Sequence, residues 1–213
     1  MLQYRIDCDE GRGNAMACQS VGEFLSVVKN DRKAAGDVYE ENCRRFGFAP
    51  SCFNVGRLYF AGKGRKQSDP TAADYFSKAC EGGHAVACFH LGTLLLAGSP
   101  TVPKNVPRAM TALAKACDDR LADGCYGMAE QLLRSDPPLP VTRDPSRARA
   151  ALEVACQYNH AAACFNLAVM YKNGDTGVPI DMEKFDKYAD IARQLRSQLH
   201  GPLSGRPGAR QRR

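Results

Sequence analysis

Ten cysteines are the residues of this chain best suited to chemistry. Paired cysteines can bind zinc, exchange disulfides with another protein, or form structural disulfide bonds. Zinc is disfavoured, because the chain has no Cys-x-x-Cys motif, no Cys/His cluster at zinc-finger spacing and only four histidines. An even number of regularly spaced pairs predicts a disulfide framework with no free thiol. The pairs are Cys8/Cys18, Cys43/Cys52, Cys80/Cys88, Cys117/Cys125 and Cys156/Cys164.

Other motifs predict neither a catalytic nor a metal site. The run Ser26-Val27-Val28-Lys29 matches the S-x-x-K pattern of serine acylation, but its partner motifs S-D-N and K-T-G are missing. His84 and His160 both stand four residues before the second cysteine of a pair, and this repetition predicts a structural role. His90, with one of the six methionines, is the candidate haem ligand, although no spacing requires haem.

A repeat organises the cysteines. The second cysteine of each pair opens a recurrent block, and successive blocks start 34, 36, 37 and 39 residues apart. Apolar residues at the third and seventh positions after that cysteine form one face of a helix. Small residues fill the fourth position, which implies that another backbone passes close there. The blocks are residues 17–28, 51–62, 87–98, 124–135 and 163–174, and the small residues are Gly22, Gly56, Gly92, Ala129 and Ala168.

A partner helix precedes most blocks, at about 34–43, 72–80, 108–117 and 147–156. Helix-capping residues stand just before these segments: Asp31, Asp69-Pro70, Asn105 and Asp144-Pro145. Gly- and Pro-rich loops separate the units. We therefore predict one all-α domain over residues 1–199, an αα-hairpin repeat solenoid of about five units. A last helix at 181–199 would cap it, and residues 200–213 would form a flexible basic tail.

The turn lengths favour pairing within each hairpin. Seven residues separate Cys80 from Cys88, so the two helices are antiparallel neighbours that can bring the Cα atoms to about 4.4 to 6.8 Å. The wider spacings of Cys43/Cys52 and Cys8/Cys18 predict looser turns. The N-terminal pair is then the best candidate for thiol–disulfide exchange, while inert staples are the favoured interpretation for all five pairs. Such a framework needs an oxidising compartment.

The composition limits the classes of partner that we expect the protein to bind. The net charge of +6 is dispersed, and with no Trp the chain has no evident stacking platform for nucleic acid. No window approaches the roughly 18 to 20 apolar residues of a membrane span. The first residues resemble neither a secretory signal nor a matrix-targeting presequence. We expect a monomer that binds proteins, does not bind nucleic acid and has no membrane span.

The block Ala163-Cys-Phe-Asn-Leu-Ala168 and the helix ending Lys78-Ala-Cys80 resemble the cysteine-rich form of the Sel-1-like repeat family. The resemblance covers roughly residues 8–199. It implies a TPR-like right-handed superhelix. The phrase Ser77–Cys88 and the run 164–171 also resemble the branch of the family that assists assembly of respiratory-chain complexes, chiefly cytochrome c oxidase. That branch implies a protein of the mitochondrial intermembrane space.

The implied partners are respiratory-chain assembly factors or metallochaperones, together with the oxidase that introduces disulfides during import. The expected role is a disulfide-stapled binding scaffold that requires no cofactor. Three alternatives remain: a thiol–disulfide oxidoreductase, a haem- or copper-handling chaperone of the same compartment, and a secreted protein of the bacterial cysteine-rich type. The last would carry a signal peptide, and none is visible. The short segment ahead of Cys8 departs from the family, which has a helical segment there.

Overall fold

The computed structural model describes residue 8 and residues 14–134 and 142–199. These ranges contain ten helices and no strand, which confirms the all-α prediction. The first helix continues as a short π-helix, Phe24–Val28. The helices are α1 (Ala15–Glu23), α2 (Arg32–Phe46), α3 (Ala49–Ala61), α4 (Asp69–Glu81), α5 (Ala85–Ala97), α6 (Val106–Asp118), α7 (Ala122–Leu133), α8 (Pro145–Gln157), α9 (Ala161–Asn173) and α10 (Met182–Leu199).

Two kinds of connection alternate along the chain. Turns of two or three residues join α2 to α3, α4 to α5, α6 to α7 and α8 to α9, and each such pair is a helical hairpin. Longer loops lead from one hairpin to the next, so the second helix of one hairpin packs against the first helix of the following one. The apolar faces are buried between successive hairpins, which makes the fold an αα-hairpin solenoid.

The helix starts follow the predicted capping chemistry with one exception. Asp31, Asn105 and Asp144 each accept a hydrogen bond from a backbone N–H three residues ahead, at 2.9 to 3.0 Å. The prediction for α4 was wrong by one residue. Its N-cap is Ser68, whose Oγ lies 3.4 Å from the Thr71 nitrogen, and Asp69 lies in the first turn. An acidic side chain in that turn still favours the helix dipole.

The turn between α2 and α3 is tighter than predicted. The extra residue between Cys43 and Cys52 lengthens α2, which runs three residues past Cys43 to Phe46. Gly47 then ends the helix in the left-handed conformation, with φ of 59°, and α3 begins two residues later. Because glycine adopts this conformation without steric cost, the chain reverses in two residues and does not need a loose turn.

The small residues of the repeat receive large side chains from the next hairpin. A Cβ atom added to Gly56 would lie 2.7 Å from the Phe76 ring, and one added to Gly92 would lie 2.7 Å from Leu113 Cγ. Gly22 packs in the same way against the ring of Tyr39. The prediction of a close backbone was therefore incomplete. Carbonyl oxygens do lie 3.3 to 3.4 Å from the added Cβ of Gly92 and Gly56, but a side chain lies closer.

Helix α10 packs on α9 in the way that the first helix of each hairpin packs on the helix before it. The rings of Tyr171 and Tyr188 stack at 5.8 Å, as those of Tyr59 and Tyr75 stack at 5.9 Å between α3 and α4. Tyr75 precedes Cys80 by five residues, and the residue five positions after Tyr188 is Arg193. Helix α10 therefore has an arginine where α4 has its cysteine. A helix is thus present where the sequence predicts the C-terminal capping helix, and its role as a cap remains a prediction. Residues 200–213, the predicted tail, lie outside the described residues.

Candidate functional site

The five disulfides are the most regular chemical feature of the molecule. Each joins the two cysteines predicted to pair, with Cα–Cα distances between 4.4 and 4.9 Å. Four of them cross the turns of the hairpins α2–α3, α4–α5, α6–α7 and α8–α9, and the fifth links Cys8 to Cys18 in α1. The first cysteine of a hairpin lies in the last turns of one helix and the second lies three residues into the next. Each bridge therefore fixes one turn.

Burial separates two of the bridges from the others. Eight of the ten cysteines are buried, and the remaining two, Cys8 and Cys117, are partly exposed. Because exchange starts with attack of a thiolate on an accessible sulfur, the bridges to Cys18 and Cys125 are the more open to reductants. The sequence singled out Cys8/Cys18 for this property and missed Cys117/Cys125. Exchange activity itself remains a prediction.

His84 and His160 are helix N-caps. Their Nδ1 atoms accept hydrogen bonds from the backbone N–H groups of Ala87 at 3.2 Å and Ala163 at 3.1 Å. The ring of His84 stacks on Phe53 of the preceding hairpin at 4.4 Å between centroids, and His160 stacks on Tyr126 at 4.3 Å. Desolvation lowers the pKa of His84, which keeps Nδ1 free to accept. The geometry gives both histidines the structural role that their repetition predicts.

His90 lies inside an aromatic cluster. Its ring stacks on Phe76 at 5.4 Å and tilts against Phe53 at 5.6 Å, and Phe89 meets it edge-on at 5.8 Å. Desolvation, and then the nearby charge of Arg57, lowers the pKa of His90, so the imidazole is neutral. Across residues 8, 14–134 and 142–199, no three His, Cys, Asp or Glu side chains group in a way that could hold a metal ion.

The S-x-x-K run does not form a catalytic pair. Ser26 lies in the π-helix, and the Lys29 ammonium sits 5.8 Å from the centroid of the Phe24 ring. No hydrogen bond joins Ser26 to Lys29 in the described part of the chain. Ser26 and Lys29 are three residues apart, and the wider turn of a π-helix places their side chains further apart around the helix axis than an α-helix would.

A buried polar network joins α1 to the α2–α3 hairpin, and sequence reasoning missed it. Asn42 Nδ2 donates to Ser51 Oγ at 2.6 Å and to the Ala15 carbonyl at 2.9 Å, and Ser51 Oγ donates to Gln19 Oε1 at 2.7 Å. A signal was present, because the residue before each cysteine is alanine or glycine in the later hairpins but Asn42 and Ser51 here. Buried polar pairs of this kind fix one register of packing.

The sequence model of the Sel1 repeat family matches residues 49–84, 85–119, 122–156 and 161–184. These four matches cover more than half of the chain. The chain belongs to the Sel1 repeat family. Each match begins at the second helix of a hairpin. The first three end within three residues of the end of the following helix, and the fourth ends in the first turn of α10. The bridges Cys80–Cys88, Cys117–Cys125 and Cys156–Cys164 therefore link consecutive Sel1 repeats. The unit built from α1 and α2 precedes the matched residues, yet its Gly22–Tyr39 contact repeats the packing of the later units.

Curated relatives carry the same name. The chain is 33% identical over 119 residues to the Drosophila melanogaster protein named cytochrome c oxidase assembly factor 7 homolog, covering 53% of this chain and 44% of that protein. It is 33% identical to the mouse cytochrome c oxidase assembly factor 7, covering 47% of each. It is 30% identical to the human protein of that name, covering 49% of each. The chain thus spans about half the length of these relatives.

Solved structures share the fold. A protective antigen of uropathogenic Escherichia coli that displays an SLR fold superposes with a TM-score of 0.75 at 17% identity, covering 88% of this chain and 41% of that one. A Sel1 repeat protein from Oxalobacter formigenes gives a TM-score of 0.71 at 21% identity, covering 87% and 73%. At these identities the likeness establishes the Sel1 solenoid and nothing about activity.

Proposed function

We propose that this Sel1 repeat protein assists the assembly of respiratory-chain complexes, chiefly cytochrome c oxidase, as a disulfide-stapled binding scaffold in the mitochondrial intermembrane space. The observation that carries the proposal is the combination of five hairpin disulfides with relatives named for cytochrome c oxidase assembly. Its partners would be other assembly factors or metallochaperones, and the import oxidase that forms the bridges.

The disulfides support an oxidising location. Closing a loop of eight to ten residues removes unfolded-state entropy equivalent to about 2.5 kcal/mol per bridge. Five such terms are comparable with the whole net stability of a small domain, so the reduced chain would be marginal. A protein built in this way depends on a compartment where disulfides persist. The intermembrane space meets this need and is where an oxidase assembly factor would meet its partners.

The exposed apolar side chains support a protein-binding role. Of the ten large apolar side chains exposed in the described residues, eight lie near the two ends of the solenoid. Apolar side chains left exposed at the ends of a solenoid offer surface that a protein partner can cover. No helix in residues 14–134 or 142–199 is long and apolar enough to cross a membrane. The eight are Met16, Val27, Val28, Tyr158, Phe165, Val169, Ile180 and Met182.

The scaffold role needs no cofactor. The ring of His90 packs against three phenylalanines, which gives this histidine a structural role without a ligand. His84 Nδ1 and His160 Nδ1 are engaged as helix caps. The proposed function therefore assigns these histidines to packing and capping, and no step of it passes through haem.

Depletion and rescue test the proposal. Loss of the protein should lower the amount of assembled cytochrome c oxidase on native gels, and re-expression of the unaltered chain should restore it. The protein should resist protease in intact mitochondria and be digested once only the outer membrane is ruptured. An inner-membrane protein facing the same space serves as the positive control, and a matrix protein must stay protected.

Two results would reject the assignment. One is a reduced protein in the cytosol, shown by full alkylation of its thiols in fresh lysate. The other is a normal oxidase level after complete depletion. Either would leave the Sel1 scaffold without this role.

A further inference from the structure

A cavity of about 420 Å³ opens between the π-helix that follows α1 and the α2–α3 hairpin. Its wall is built from the π-helix after α1, the start of α2, the outer face of α3 and the loop that follows α3. The volume is within the usual range of ligand pockets. Neither a cysteine nor a histidine of the described residues lines it.

Three cations line this cavity: Arg32, Arg57 and Lys63. No carboxylate is among its lining residues, and none of the three cations forms an ion pair with another described residue. Arg57 lies with its guanidinium 5.6 Å from the centroid of the Phe53 ring. By contrast, the neighbouring Arg65 is neutralised by Asp37 at 2.7 Å and Glu40 at 3.2 Å. The lining side chains therefore carry a net positive charge, while the charge of Glu23, which is not among them, reaches Tyr39.

The cavity also contains an unusual phenol. Tyr39 is 4% exposed and occupies the position that faces the small residue of the preceding hairpin, where the other hairpins have Phe76, Leu113 and Leu152. Its hydroxyl has no hydrogen-bond partner among the described residues. Burial, and then the charge of Glu23, raises the pKa of Tyr39 to about 12. At neutral pH the phenol is thus a protonated donor at the base of a cationic cavity.

The remaining walls are neutral. Ser26, Asn30 and Asn54 add polar groups, and Val27, Leu58 and Ala61 add apolar surface. A small inorganic anion would leave the apolar walls uncovered. In addition, the first turn of α2 is already capped by the Asp31 carboxylate, which accepts from the Ala34 N–H at 3.0 Å and disfavours a phosphate at that helix end.

We propose that this cavity binds an acidic peptide segment, with side-chain carboxylates against Arg32, Arg57 and Lys63, the Tyr39 hydroxyl donating a hydrogen bond, and an aliphatic side chain against Leu58 and Ala61. The inference rests on the proposed scaffold function and identifies one partner surface for it. Guanidinium–carboxylate hydrogen bonds supply the specificity, and the apolar contact supplies buried area.

Fluorescence anisotropy with the full oxidised chain tests this site. The probe is a fluorescein-labelled peptide of sequence Leu-Glu-Asp-Leu-Glu-Asp, and its control has Gln and Asn in place of Glu and Asp. We expect saturable binding of the acidic probe and at least about tenfold weaker binding of the neutral one, because each 1.4 kcal/mol of lost interaction corresponds to a factor of ten.

Matched variants localise the binding. The double change Arg57→Gln with Lys63→Gln should weaken binding about tenfold or more, whereas Arg108→Gln with Lys115→Gln removes the same charge elsewhere and should change it less than about twofold. Tyr39→Phe keeps the ring that packs on Gly22 and removes only the hydroxyl. It should weaken binding about two- to tenfold. Far-ultraviolet circular dichroism confirms that each variant is folded.

Three outcomes would overturn the proposal. The first is equal loss in both charge-matched double variants, which would mean non-specific attraction. The second is equal affinity for the neutral peptide. The third is saturable binding of inorganic phosphate, or of vesicles containing anionic lipid, without binding of the peptide. Oxidase levels after rescue with the Arg57→Gln, Lys63→Gln variant separate the two hypotheses. If the variant restored the oxidase level but did not bind the peptide, the assembly role would stand and would not depend on this cavity.

Discussion

The packing of Gly56 against Phe76 makes a sharp prediction about stability. In Gly56→Ala the new methyl carbon would lie 2.7 Å from two atoms of the Phe76 ring. Phe76 is 1% exposed and is enclosed by Phe53 and His90, so it has no free space to enter. Overpacking of this kind costs about 2 to 3 kcal/mol, and the better helix propensity of alanine returns about 1 kcal/mol. We expect a net destabilisation of about 1 to 2 kcal/mol.

The protein supplies its own controls. Gly127 also lies within a helix, but a Cβ there would be 3.4 Å from Leu113, an ordinary contact. Gly127→Ala should therefore stabilise the protein by up to about 1 kcal/mol. Ala129 and Leu152 already form an alanine–leucine pair at the equivalent position of a later hairpin. The double variant Gly56→Ala, Phe76→Leu copies that pair and should recover part of the loss.

Guanidinium denaturation of the oxidised protein measures these differences as shifts in midpoint at constant slope. If Gly56→Ala proved as stable as Gly127→Ala, the packing of a large side chain against the small residue would not explain why glycine recurs at this position.

Three further predictions concern backbone strain in two turns, the dependence of stability on pH and the effect of reduction. Arg120 has a φ of 60° at the turn position that Gly83 occupies in an earlier hairpin, so Arg120→Gly should stabilise the protein by up to about 1 kcal/mol. Asn159→Gly should stabilise it less, because asparagine tolerates this conformation. Thermal unfolding compares the two variants, and a lower melting temperature for Arg120→Gly would contradict backbone strain at this position. The folded-state pKa of His84 lies below its unfolded value of about 6.5, so its contribution to stability is present above that value and is lost as pH falls through it. The denaturation midpoint should fall less between pH 8 and pH 5 in His84→Asn than in the unaltered protein, because asparagine keeps a capping acceptor but does not titrate. An equal fall in both proteins would contradict the role of neutral His84 in this pH dependence. Full reduction should remove most helical circular dichroism at moderate temperature, and an unchanged spectrum would show that the staples are incidental.

The sequence identified features that repeat and missed features that do not. The cysteine spacing and the small residues recur in every unit, so helices, pairing partners and the Sel1 solenoid followed from them. Chain reversal at Gly47 was misjudged because residue counts do not show how far a helix extends past its cysteine. The cap at Ser68 was misassigned because Ser and Asp both suit an N-cap and stand side by side.

The candidate peptide site escaped sequence reasoning for a related reason. Arg32 and Tyr39 lie on different turns of α2 and Arg57 lies on α3, and only the packing of these helices with the π-helix brings the three side chains to one cavity. The π-helix that shapes its rim has no compositional marker. Tyr39 does depart from the apolar residues at its repeat position, and this departure was the one readable clue.

Peptide mapping without reduction tests the central claim, that five local bridges hold the hairpins, most directly. The protein is purified from its native compartment with free thiols alkylated at lysis and is then digested and analysed by mass spectrometry. The structure predicts five cross-linked peptides, Cys8–Cys18, Cys43–Cys52, Cys80–Cys88, Cys117–Cys125 and Cys156–Cys164, with no alkylated cysteine. A long-range pair such as Cys18 with Cys43, or alkylation of most cysteines, would contradict it.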